Sequence, residues 1–386
     1  MVTFQTAKYT VHAKKHDGSD FPDVEVGFND YSNHYLNMGK TDANGKASIE
    51  LFPGNRKFKA TRLHSSLTGW LNLPNSGNTG ILVLQTSEFV VQVLKSDCST
   101  PYQGIKARYN DYSNHYYTIG YTDASGNAAI ELYPGNHKFK AEKLHSANTA
   151  MLNIPTSGTS ATVNINTSKY VVHVKDSDGN AYPGIKTQYN DYSNHYYTIG
   201  NTDASGNASI ELFSGNHKFK AYKNHTANTA YLNIPAACST ATVTFQTAKA
   251  EFFVKDCESN TPVAGIKCLF NDYSNHYLTV GYTDAAGKAS IQLFPGTDYK
   301  FKAYNIHTSE VKKVDLNLLT TQIEFNPTKV DFNYAGTVKY NDYSNHWMTL
   351  NGPVYMFPGT YKFKFDAIQK NLAIAGCAIY GFATVH

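Results

Sequence analysis

Along residues 168–247 apolar and polar positions alternate with a period of two in short runs, and no stretch carries a helical period. Residues 169–175 (KYVVHVK) are β-branched and alternating, and 176–180 (DSDGN) form a turn cluster. Ile185, Thr187 and Tyr189 alternate with Lys186 and Gln188 in a second strand. A third is expected over 196–202, then an Asp/Gly turn at 203–206 and a fourth over 208–213, ended by Ser214-Gly215 (Pro-Gly in the other units). Residues 217–222, 229–234 and 241–246 complete seven strands, the last leading into the next unit through Thr247-Ala248. Seven short strands with regular turn signals predict an antiparallel two-sheet sandwich.

The pattern recurs. Asn-Asp-Tyr-Ser-Asn-His-Tyr starts at Asn29, Asn110, Asn190 and Asn271, and a fifth copy at Asn341 ends in Trp347. The spacing suits self-contained domains better than solenoid turns. The fold class expected is therefore all-β, a tandem array of five small seven-stranded Ig-like or prealbumin-like β-sandwiches. The boundaries expected are 8–86, 87–167, 168–247, 248–328 and a shortened unit at 329–386. Residues 2–8 (VTFQTAK) recur at 243–249, so residues 1–7 are expected to be the last strand of a preceding repeat in a longer polypeptide. The short links between units predict a rod with limited bending.

Composition narrows the function. The net charge of +4 is distributed along the sequence with no run of Lys and Arg, which argues against nucleic acid as a partner. Tyr is abundant, with 29 copies against 2 Trp, and the Tyr, Asn, Ser, Thr and Gly content describes the surface of a secreted recognition or structural protein. No apolar run is long enough to span a bilayer. Gly-x-Ser-x-Gly, HExxH and phosphate-cradling Gly loops are all missing from the sequence, so no enzyme activity, catalytic residue or cofactor is expected.

The run TDASGNASIELFSGNHKFKA, its variants ending in LFPG, and the linking strand TVTFQT resemble the carboxypeptidase-regulatory-like and Cna-B-like (prealbumin-like) modules of secreted bacterial surface proteins. The resemblance covers four units well and the fifth loosely. It implies a stalk, spacer or adhesive role outside the cell. Some Cna-B-like modules carry a Lys–Asn isopeptide bond promoted by an acidic residue on a late strand. Unit 2 has Glu142 on such a strand (Lys138 to His145) and the other units have no acidic residue there, so such a bond is not expected in every unit.

The strand reading also pairs cysteines. With first and last strands both running toward the next unit, Cys98 and Cys238 meet at the joint of units 2 and 3, and Cys257 and Cys377 at that of units 4 and 5. Five free thiols are the alternative. Cys268, in phase with Ile266 and Phe270, is expected to point into a core.

The heptapeptide is the candidate site: Asn29, Asp30, Tyr31 and His34; Asn110, Asp111, Tyr112 and His115; Asn190, Asp191, Tyr192 and His195; Asn271, Asp272, Tyr273 and His276; Asn341, Asp342, Tyr343 and His346. Four readings stand. It is a hydrogen-bonded turn that stabilises the fold, or a packing patch between units or between molecules. It is a multivalent glycan site. Or it binds a divalent metal: a second His follows in four units, giving the pairs His34 and His64, His115 and His145, His195 and His225, His276 and His307, if third and fifth strands approach. By parity, His115 shares a face with Tyr117 and Ile119 and points toward the end of the core. The leading expectation is a non-enzymatic extracellular or cell-surface rod or fibre that self-associates or contacts a cell-surface polymer, with a glycan-binding adhesin as the alternative.

Overall fold

The computed structural model describes residues 4–29, 34–110, 115–190, 195–271, 276–341 and 346–377, and all its regular structure is β. Unit 3 has seven strands: Thr167–Lys175, Lys186–Asn190, Tyr196–Asn201, Asn207–Phe213, Gly215–Lys223, Thr226–Ile234 and Thr240–Gln246. The first strand lies between the fourth and the seventh in a three-stranded sheet, and the other sheet runs in the order third, second, fifth, sixth. Units 1, 2 and 4 repeat both orders. Unit 5 differs from the seven strands expected of it. Among its described residues it has six, a two-stranded sheet of Thr328–Val330 with Val354–Met356 beside the four-stranded one.

Alternation builds each core. Tyr170, Val172 and Val174 of the first strand face Tyr189, Phe219 and Ala221 of the other sheet, all buried. The Asp/Gly turn after the third strand is held by Asp203, whose Oδ1 accepts the N–H groups of Ser205 and Asn207 (both 2.9 Å). Gly206 takes φ 74° there, and a Cβ would lie 2.6 Å from the Val174 carbonyl, so the position excludes other residues.

The first strand is antiparallel to the fourth and parallel to the seventh, pairing Tyr170 with Ala241. Each unit therefore has an entry end, with the loops after its second, fourth and sixth strands. Its exit end has the loops after the first, third and fifth. Cys98 is bonded to Cys238 and Cys257 to Cys377, with Cα atoms 5.4 and 4.9 Å apart, joining exit end to entry end across two joints. Cys268 is a buried free thiol. Residues 4–6 are not in a strand, which begins at Ala7, and Phe4 is exposed.

Candidate functional site at the joints between units

At each joint an aromatic side chain from one unit completes the core of the unit before it. The residue follows the end of the fourth strand's apolar run: Tyr133, Phe213, Phe294 and Phe357, all with no exposed surface. Tyr133 packs in the core of unit 1, Phe213 in that of unit 2, Phe294 in that of unit 3 and Phe357 in that of unit 4. Local pattern explains the inversion. Leu212 points into its own unit, so the adjacent Phe213 points out of the entry end.

Both backbone groups of this plug are held. Its N–H donates to a hydroxyl of the preceding unit, from Tyr133 to Ser65, Phe213 to Ser146, Phe294 to Thr226 and Phe357 to Thr308, at 2.9–3.0 Å. Its carbonyl accepts from a fifth-strand side chain of its own unit: His137, His217, Tyr299 and Tyr361 in turn, at 2.9–3.0 Å. Burial lowers the pKa of His137 and His217, which favours the neutral ring. The Tyr133 hydroxyl is the exception, buried with no hydrogen-bond partner among the described residues, and burial pushes its pKa up.

The accepting hydroxyl sits on the tight turn between fifth and sixth strands, where two residues have positive φ: Leu63 and His64, Leu144 and His145, Asn224 and His225, Ile306 and His307. Only non-Gly residues occupy these positions, a strained choice that a joint can stabilise. The His64 ring stacks on Tyr117 of unit 2, centroids 5.5 Å apart, with Nε2 3.0 Å from the hydroxyl. His145 stacks on Tyr197 of unit 3 at 6.0 Å.

A second polar lock lies beside the plug. Glu131 accepts from the Thr86 hydroxyl, from the His16 N–H (3.2 Å) and from His16 Nδ1 (2.5 Å). That last bond raises the His16 pKa. Glu211 takes the same place at the next joint, with Thr167 at 2.6 Å and Ser96 at 2.6 and 3.1 Å, and Gln292 at the one after, with Thr247 and Ser177 both at 2.7 Å.

Unit 1 repeats the entry half of the same joint. Thr6 donates to Glu50 (2.8 Å), and Phe4 meets Phe52 edge to face at 6.1 Å, as Phe245 meets Phe294 at 6.5 Å. Phe52 is 58% exposed. The exit end of unit 5 is built differently, with Ile368 in place of the hydroxyl residue and Asp366 accepting from Tyr334 (2.7 Å) and the Thr337 N–H (3.0 Å).

The described residues that flank each heptapeptide, the end of the second strand and the start of the third, lie at the entry ends. Of the candidate residues, Asp30, Tyr31, Asp111, Tyr112, Asp191, Tyr192, Asp272, Tyr273, Asp342 and Tyr343 lie outside the described residues. Asn110, Asn190 and Asn271 end second strands and are buried, whereas His34, His115, His195, His276 and His346 are exposed. The inward orientation expected of His115 is thus corrected: it precedes the third strand, so strand parity does not govern it. The final Tyr lies under a lysine of the fifth strand, Lys59 over Tyr35, Lys140 over Tyr116, Lys220 over Tyr196 and Lys302 over Tyr277, at 5.1–5.5 Å from the ring centre.

The metal reading loses its geometric premise. The second strand lies between the third and the fifth, and its five residues separate the loop His from the turn His. His34 and His64, His115 and His145, His195 and His225, and His276 and His307 therefore stand at opposite ends of their sheets, at least about 13 Å apart along the strand. Among the described residues no three His, Cys, Asp or Glu side chains group in a way that could hold a metal ion.

The charge reading is also corrected. Fifth strands alternate Lys-Phe-Lys, so each buried Phe turns two lysines outward: Lys57 and Lys59, Lys138 and Lys140, Lys218 and Lys220, Lys300 and Lys302, Lys362 and Lys364. The strands of the five four-stranded sheets carry 23 of the chain's 34 Lys and Arg but 5 of its 30 Asp and Glu. Charge that is dispersed in sequence is gathered in space.

No protein-family model matches this chain, and comparison with curated proteins finds no match. Among solved structures it is similar to the TIE protein of Bacillus anthracis (14% identity, 78% of this chain and 68% of that one, TM-score 0.23). It is also similar to the major pilin subunit of Bacillus cereus (9% identity, 63% and 99%, TM-score 0.20) and to the minor pilin of Streptococcus agalactiae (12% identity, 42% and 94%, TM-score 0.26). The description of the chain as a tandem array of all-β sandwiches rests on its own strand orders and registers.

Proposed function

We propose that this chain is a non-enzymatic structural segment of an extracellular fibre or surface stalk, in which successive sandwiches are locked end to end. One observation carries the reading: four successive joints repeat the same buried aromatic plug and the same N–H to hydroxyl bond. A joint that shares a core with its neighbour resists bending, because a hinge motion would expose apolar surface. The two disulfides across joints support an oxidising location outside the cell. The heptapeptide segments act in this reading as packing elements, since Tyr117 and Tyr197, one residue beyond them, meet the turn His of the preceding unit. The entry half-joint of Phe4, Phe52 and Glu50 has the build of the other joints and so fits the exit end of a like unit.

Small-angle scattering and electron microscopy of the purified chain test this. An elongated particle that associates into filaments at higher concentration is the expected result. A compact particle, with units folded back on one another, would overturn the reading.

A further inference from the structure

We propose that the outer face of the four-stranded sheet in each unit is a docking surface for an acidic polysaccharide, a chain of carboxylate-bearing sugars. The inference is independent of whether the units assemble into fibres.

Charge complementarity carries it. In unit 3 the four strands of this sheet contain four lysines and no acidic residue. Lys218 and Lys220 project from one face of the fifth strand, about 7 Å apart along it, and Lys186 stands on the adjacent second strand, in register with Tyr222. Unit 5 repeats the arrangement without an acidic residue in these strands, and unit 2 with Glu142 alone, which pairs with Lys140 (3.5 Å) and Arg108 (3.4 Å). A chain of net charge +4 that places most of its cations on one sheet type has segregated its charge, and such a face attracts an extended polyanion.

The chemistry of the face selects among polyanions. Its cations are nearly all lysines, since Arg occurs only at positions 56, 62 and 108. Lysines are compact, hydrated point charges on flexible stems, suited to carboxylates spaced along a sugar chain, whereas forked phosphate recognition favours Arg. The Lys220 ammonium lies 5.1 Å over the Tyr196 ring, and Lys218 lies 5.6 Å from the exposed Tyr231 ring, so cations and aromatic faces alternate across this surface and a sugar ring can stack where its carboxylate pairs. Thr198, two residues on from Tyr196 and on the same side of the third strand, supplies an exposed hydroxyl for sugar hydroxyls. Five such faces in one chain would add avidity to weak single contacts.

The experiment uses the full chain and immobilised polygalacturonate, with dextran as the neutral polymer and duplex DNA as the phosphate polymer, over a salt series. Binding to polygalacturonate that weakens steeply with salt, with none to dextran, is expected. K138Q/K140Q/K218Q/K220Q should lower the affinity about tenfold or more with the fold retained, because the four side chains lie on the outer face and lose only surface ion-pair and cation–π contacts. Lysine acetylation footprinting of the unmutated chain is the second measurement, and it needs no variant to fold. Polygalacturonate should protect Lys138, Lys140, Lys218 and Lys220 while leaving Lys8 and Lys46, on the other sheet, reactive. Undiminished binding by the variant, equal binding to dextran, tighter binding to DNA, or no selective protection would each overturn the proposal.

Discussion

Replacing Phe294 by Ala should unfold a different unit from the one that carries it. Phe294 belongs to unit 4, but its ring is fully buried in the core of unit 3, edge to face with Phe245. A Phe side chain buries about 200 Å², which at about 25 cal/mol per Å² gives about 5 kcal/mol as an upper bound. Phe to Ala changes in cores cost about 3–5 kcal/mol. The Phe294 N–H to Thr226 hydroxyl bond survives the substitution, so the change isolates the ring. Neither disulfide crosses this joint to mask the effect. Hydrogen exchange read by mass spectrometry should show the amides of unit 3 that exchange by unfolding of the unit doing so about 10²–10⁴ times faster, with unit 4 nearly unchanged. Phe52→Ala, at an exposed ring, should shift stability by no more than about 0.5 kcal/mol. Faster exchange confined to unit 4, or none in either unit, would refute the shared core.

Other outcomes follow from the same joints. Tyr133→Phe removes a buried hydroxyl that has no partner among the described residues and installs the residue found at the other three joints, so unit 1 should gain about 1 kcal/mol of stability, read as a higher unfolding temperature. Two histidines respond to pH with opposite sign. The His217 pKa is depressed by burial, so its contribution is present above the unfolded value near 6.5 and lost as pH falls through the lower folded value. His217→Tyr, the residue that does this work in unit 5 (Tyr361), should flatten the acid limb of a pH–stability curve for unit 3. The His16 pKa is raised by its bond to Glu131, so its contribution is complete below about 6.5 and lost as pH rises through the folded value; His16→Ser should remove that loss at the first joint. Cys268, with its thiol pushed up to about 12 by burial, should resist iodoacetamide at pH 8 until the chain is unfolded, as mass spectrometry of the alkylated protein would reveal.

Much of the fold is legible in the sequence because it is written in local terms. The alternation in KYVVHVK and the Asp/Gly turn after the third strand are set by neighbours along the chain, and Cys98 and Cys238 come together once first and last strands are parallel. The joint is harder to read. Leu212 and Phe213 look like one strand ending, yet they serve two different cores, and only the recurrence of an aromatic before Pro-Gly or Ser-Gly hints at it. A Ser or Thr after the turn His in four units, replaced by Ile368 in the fifth, is the matching signal on the other side. Sheet order is not local at all. Nothing in the spacing of His115 and His145 says that the second strand lies between their strands, and the metal pairing fails for that reason. The lysine face was visible as Lys-Phe-Lys in every unit, but charge summed along a sequence conceals what alternation does to it in space.

Because the ring that seals unit 1 is Tyr133, a ribosome making this protein must extend well into the second sandwich before the first can close. Maturation therefore trails translation by most of a repeat throughout the array, and a nascent chain always displays one unsealed socket. Premature termination within a repeat would leave that socket vacant and its apolar lining in water.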